Sequence, residues 1–156
     1  MKCIVVFLTV SCFLLFSCEK PDSASEAAIL FAHTLADSSY SEAWDILTPN
    51  SQLLYDSTVA VLHEFGWIEV QPAVHSLIGE TTEEEFINLT GKTLFVKLIS
   101  SAPGAHTLST NVESVTYPTD SLAIVVLNTA DGLQEIPVQK IEGVWLINIS
   151  DLVPAL

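Results

Sequence analysis

Apolar residues follow three regimes along the chain, and each predicts a different kind of structure. From Ile4 to Phe16 they form one run, interrupted by Thr9, Ser11 and Cys12 and preceded by the charge of Lys2. The run is shorter than the roughly 18–20 apolar residues of a membrane-spanning helix, and small Ser17 follows it, so it reads as a secretory signal. From Ser25 to about Ser101 the period is helical. Ala28, Phe31, Ala32 and Leu35 form one face of a first helix over 25–36, capped by Ser23 or Ser25 with Glu26 in its first turn. Asp37-Ser38-Ser39 breaks it. A second helix, capped by Ser41, buries Ala43, Trp44 and Leu47 and ends at Pro49. A third, capped by Asn50 or Ser51, carries Leu54, Val61, Leu62 and Phe65 at helical spacing until Gly66 stops it. Residues 67–80, bracketed by Pro72 and Gly79, fit a loop, a short edge strand or a lid. Thr81 or Thr82 with Glu84 or Glu85 makes a capping box for a further helix to Ser101, in which Gly91 marks a kink or break.

From Thr107 the period changes to two. Leu108–Tyr117, Ser121–Thr129, Leu133–Lys140 and Val144–Ile149 predict four strands in a meander, turned by Pro118-Thr119-Asp120, Asp131-Gly132 and Glu142-Gly143. In the last strand Trp145, Ile147 and Ile149 alternate with Val144, Leu146 and Asn148, so both faces are largely apolar and the strand is expected to be covered on each side. Pro137 cannot donate to a ladder and marks an edge or a bulge. Helices followed by an antiparallel sheet predict an α+β fold, with the N-terminal helices packed across one face of a curved four-stranded meander.

Composition narrows the function classes. All 19 acidic residues lie after Ser17, against four lysines there and no arginine, so the exported part is one charge more negative than the −14 of the whole chain. Without a basic stripe or arginine forks, nucleic acid is excluded as a partner and phosphate ligands are disfavoured. The charge also disfavours lying flat on anionic lipid. Cys3 and Cys12 fall within the signal, which leaves Cys18 as the one remaining thiol and rules out a disulfide framework or a cysteine-ligated zinc site.

At Leu15-Phe16-Ser17-Cys18 the chain resembles the lipobox of bacterial lipoproteins. The resemblance implies a signal peptide over residues 1–17, a diacylglycerol thioether on Cys18, cleavage before it and acylation of its new amino group. An ordinary cleaved signal and an uncleaved anchor are the alternatives. Residues 18–25 then form the lipidated cysteine and a tether, of which the polar stretch 19–25 reaches about 25 Å when extended. Residues 26–156 form a single domain in the cell envelope, outside the cytoplasm. Glu19 after the lipidated cysteine resembles an outer-membrane sorting position, if the cell is Gram-negative. The membrane, reached through the lipid on Cys18, is the first implied partner.

A second resemblance rests on Phe31-Ala32-His33-Thr34-Leu35, Tyr40-Ser41-Glu42-Ala43-Trp44-Asp45-Ile46-Leu47 and Glu142-Gly143-Val144-Trp145-Leu146-Ile147. Over about Ser25 to Asp151 these are similar to the nuclear transport factor 2-like superfamily, and more narrowly to its small bacterial lipoproteins. The likeness implies a cone with a pocket at its open end. Phe31, Tyr40, Trp44, Phe65 and Trp145 are the residues expected to line that core and pocket.

Catalytic signatures fail in turn. His63-Glu64 begins a zinc-protease motif, but Trp67 stands where the second histidine belongs. Gly-x-Ser-x-Gly and glycine-rich phosphate loops do not occur. His33, His63, His75 and His106 contain no pair at helical ligand spacing, and no cofactor is called for. Asp45, beside Trp44, is expected to point to water, and the run Glu80 to Glu85 suits helix capping better than cation binding. The expected role is a non-catalytic binding or assembly module for a small molecule or an envelope protein. An isomerase or dehydratase using a pocket carboxylate or histidine is the alternative, and a homodimeric interaction protein is the third reading.

Overall fold

Serine and threonine side chains open most of the helices. The structure, a computed structural model, describes residues 21–102, 107, 110–130 and 132–150. The signal, Cys18 and His106 lie outside them. Helix α1 (Ala24–Ala36) begins at Ser23, whose Oγ accepts from the Glu26 amide at 3.2 Å while Glu26 accepts from the Ser23 amide. These reciprocal bonds satisfy donors that the first turn leaves free. Asp37 ends the helix, and Ser38 takes a left-handed φ of 60°.

Helix α2 (Tyr40–Asp45) starts after Ser39, two residues before the expected Ser41 cap. Thr48, not Asn50 or Ser51, caps α3 (Pro49–Phe65) by accepting from the Ser51 amide at 3.2 Å. Pro49 therefore begins a helix rather than merely ending one, because its missing N–H costs nothing at a first helical position. Gly66 ends α3 and also opens α4 (Trp67–Ile78), so residues 67–80 are mostly helix and not a loop, strand or lid. Pro72 within α4 cannot bond the carbonyl of Ile68, which is the most exposed large apolar residue described, at 89%. Thr82 and Glu85 form a second capping box for α5 (Glu83–Ile87). The Thr82 amide, helped by Lys97, holds the Glu85 carboxyl below the usual carboxylate range, so this cap is lost as pH falls through that lowered value. The chain breaks after Ile87, and Thr90 caps α6 (Gly91–Ser101).

Strands β1 (Val112–Thr119), β2 (Leu122–Thr129), β3 (Gly132–Ile141) and β4 (Val144–Ile147) pair antiparallel in the order β1-β2-β3-β4. The fold is therefore α+β, with the predicted four-stranded meander. Register shifts interrupt β1 between Val112 and Ser114 and between Thr116 and Thr119. The Glu142-Gly143 turn has φ of 50° and 86°, the two left-handed positions that match the twist of a two-residue hairpin. Pro137 lies in an interior strand, against the edge expectation, but one residue past the last β3–β4 pair, Val138 with Ile147. Its carbonyl still accepts from the Asn148 amide at 2.9 Å, and its missing donor falls where β4 has ended.

One face of the sheet carries Ala123, Val125, Leu127, Ile136, Val138, Trp145 and Ile147, all buried with α1, α2, α3 and α6 in one core. Helix α1 crosses all four strands. Its buried positions Ala24, Ala27, Ala28 and Ala32 are small, which suits close approach of helix to sheet. The free edge of β4 is covered by residues 46–48: Ile147 donates to the Ile46 carbonyl at 2.9 Å and accepts from the Thr48 amide at 2.8 Å. Buried Ser51 locks this edge, because its hydroxyl accepts from the Ile149 amide at 2.9 Å and bonds the Thr48 hydroxyl at 2.8 Å. A smaller cluster of Val70, Val74 and Phe86 holds α4 and α5 against the end of α3. No helix among the described residues is long and apolar enough to cross a membrane.

Candidate functional site

The aromatic residues expected to line a pocket divide into three groups. Phe31, Trp44 and Trp145 are core, each under a tenth exposed. Trp44 belongs to the same core as the buried face of the sheet. It packs between helices, 5.9 Å from the Tyr55 ring and 5.6 Å from Phe95, which are themselves 5.4 Å apart. Tyr40 is half-buried at the margin of this core. Phe65 corrects the expectation outright: it is 60% exposed, with Val61 at 50% and Leu53 at 60% on the same outer stripe of α3. The buried line of that helix runs instead through Ser51, Tyr55 and Val59.

Burial raises the Tyr55 hydroxyl above its ordinary 10.0. A group whose folded value is raised gives stability that is complete below the unfolded value and lost as pH rises through the folded one. Resistance to urea unfolding is therefore expected to fall above pH 10.0, and Tyr55→Phe is expected to flatten that decline. An unchanged slope in the variant would remove Tyr55 as its source.

His63 and His75 serve structure. His63 Nε2 lies 2.8 Å from the Phe86 carbonyl and His75 Nε2 3.0 Å from the Thr81 carbonyl, so each donates to backbone. Trp67 packs edgewise on His75 and tilted against Phe86. His33 is exposed. Among the described residues no group of three histidines, cysteines or carboxylates could hold a metal ion.

A cleft of about 650 Å³ opens along β4, on the side away from Trp145 and Ile147. Pro21 and the α1 residues Leu30 and Thr34 form one wall. Glu42, Asp45, Ile46 and Pro49 form the second, at the end of α2. Ile141, Glu142, Val144 and Leu146 form the floor and the turn. Its size and its mostly apolar lining with a few polar groups are those of a small-molecule site. Thr34 donates its hydroxyl to the Phe31 carbonyl at 2.8 Å, so towards the cleft it offers oxygen lone pairs. Asp45 is exposed, as expected, and accepts from Lys92 at 2.8 Å.

Sequence reasoning named none of the cleft's apolar residues as a site. The signal was present in the alternation of β4, where Val144 and Leu146 make the second face as apolar as the first. Comparison of the chain with protein-family models, curated proteins and solved structures finds no match.

Proposed function

We propose that the protein is a lipid-anchored binding module of the cell envelope, without catalysis of its own, and that its ligand occupies the cleft along β4. The observation that carries this reading is the cleft itself, since Phe31, Trp44 and Trp145, the residues that would otherwise line a pocket, are used in the core. The nuclear transport factor 2-like cone is the finer form of the α+β fold that we favour, and the cleft stands where α1 meets the last strand. A dehydratase-type enzyme would want a desolvated carboxylate or histidine facing a tyrosine. The buried polar side chains among the described residues are Thr34, Thr48, Ser51 and Thr81, beside the phenol of Tyr55, and the cleft carboxylates are exposed.

The test is recovery of the full chain from envelope membranes, followed by mass spectrometry of whatever small molecule it carries. Leu146→Trp, which fills the cleft, is expected to abolish that cargo, and cargo retained by the variant would place the ligand elsewhere. Anchoring is tested separately. Cys18→Ala is expected to release the protein from membranes on fractionation, and continued membrane association would end the lipoprotein reading. A second reading, a homodimer through the outer sheet face, is favoured by Leu133 at 65% exposure beside half-buried Ile124 and Val126. A monomer by sedimentation at high concentration would remove it.

A further inference from the structure

Resting on the proposed cleft, we infer that its ligand is an amphipathic cation: an apolar alkyl or aryl body that carries an amine. The apolar part is set by Leu30, Ile46, Ile141, Val144 and Leu146, which can take a hydrocarbon body out of water. The charged part is set by the rim. Among the described residues that line the cleft, three are carboxylates, Glu42, Asp45 and Glu142, and none is a cation. Lys92 answers Asp45 alone. Glu42 and Glu142 form no ion pair with any described residue. An ammonium group seated on the apolar floor supplies the missing charge, whereas a carboxylate headgroup would meet like charge on each side.

The charge of the chain as a whole acts in the same direction, since its −14 raises the local concentration of cations and lowers that of anions. Glu142 adds to the argument through its place in the hairpin. It holds a φ of 50°, a conformation in which asparagine or glycine would be more at ease. Glu142→Asn therefore suits the turn and removes a rim charge, so the variant folds at least as well as the parent while testing the ligand.

The experiment uses the full chain in zwitterionic lipid nanodiscs, with empty nanodiscs subtracting partition into lipid. Three fluorine-labelled probes of one shape are titrated by ¹⁹F NMR: fluorophenylbutylamine, fluorophenylbutanol and fluorophenylbutyrate. The amine is expected to bind about tenfold more tightly than the alcohol, as two exposed, solvent-screened charge pairs together would give, and the acid more weakly than either. Glu142→Asn combined with Glu42→Gln is expected to bring the amine to the level of the alcohol, and Leu146→Trp to abolish binding of both. Equal binding of amine and alcohol, or an amine affinity unmoved by the charge variants, would overturn the cationic ligand while leaving the cleft in place. Failure of all three probes, or binding that survives Leu146→Trp, would overturn the cleft and this inference with it.

Discussion

Trp44→Ala is expected to cost about 3–5 kcal/mol of folding stability, the largest effect of any single substitution considered. The indole is 8% exposed and stands where three helices meet, touching Tyr55 of α3 and Phe95 of α6 from its own place on α2. Truncation removes the transfer energy of a large ring and leaves a cavity that the neighbouring helices close only in part. The ring contacts add to this, because edge-to-face pairs contribute about 0.5–1.5 kcal/mol beyond buried area. Urea unfolding followed by circular dichroism measures the loss. Trp44→Phe, which keeps a ring in the gap, should recover a large share of it. A loss below about 1 kcal/mol for the alanine variant would mean that this junction is not packed as described.

Gly91→Ala is the second, with an expected loss of about 1–3 kcal/mol. Two effects of opposite sign meet at this position. Helix propensity alone favours alanine over glycine by up to about 1 kcal/mol, and by less at a first helical position. Packing reverses the sign. A Cβ on Gly91 would lie 2.7 Å from the backbone nitrogen of Asp56 and closer still to its carboxylate, so α6 could not keep its approach to α3. A carboxylate can swing aside, but a backbone amide inside a helix cannot. Since α3 and α6 form the most extensive helix pair, the displacement spreads through the core. The readout is the midpoint of urea unfolding. A midpoint equal to or above the parent's would show that the helices move apart without cost and that propensity decides.

The two variants also separate kinds of legibility. Trp44 was recognisable as buried from its spacing with Ala43 and Leu47, but its ring partners Tyr55 and Phe95 were not. Gly91 was recognisable as a break, yet the reason for the glycine lies 35 positions earlier, at Asp56. The outward stripe of α3 shows the same limit. Of the apolar positions at helical spacing, Val61 and Phe65 face outward with Leu53 while Leu62 packs on the α4–α5 cluster, and residue types alone do not say which position meets α6. In α4, Trp67, Val70, Val74 and Ile78 recur at helical spacing, and Pro72 and Gly79 obscured a signal that was there.

For the candidate site the balance was less favourable. Asp45 was correctly expected at the surface, and both faces of β4 were seen to be apolar. The cleft itself combines α1, the end of α2 and the β3–β4 turn, elements up to 125 residues apart from Pro21 to Leu146. No local pattern encodes that meeting.

What local chemistry decided here is the succession of helices and strands. Capping boxes at Ser23 and Thr82, the left-handed turn at Glu142-Gly143 and the change of period after Ser101 all act between residues a few positions apart, within reach of one another before any tertiary contact forms. What tertiary structure alone decided is which apolar face is buried, why Gly91 must be glycine, and that Trp44 closes a helical junction instead of lining a pocket. Those outcomes depend on the shape of the space left between distant elements, a property that no single segment carries.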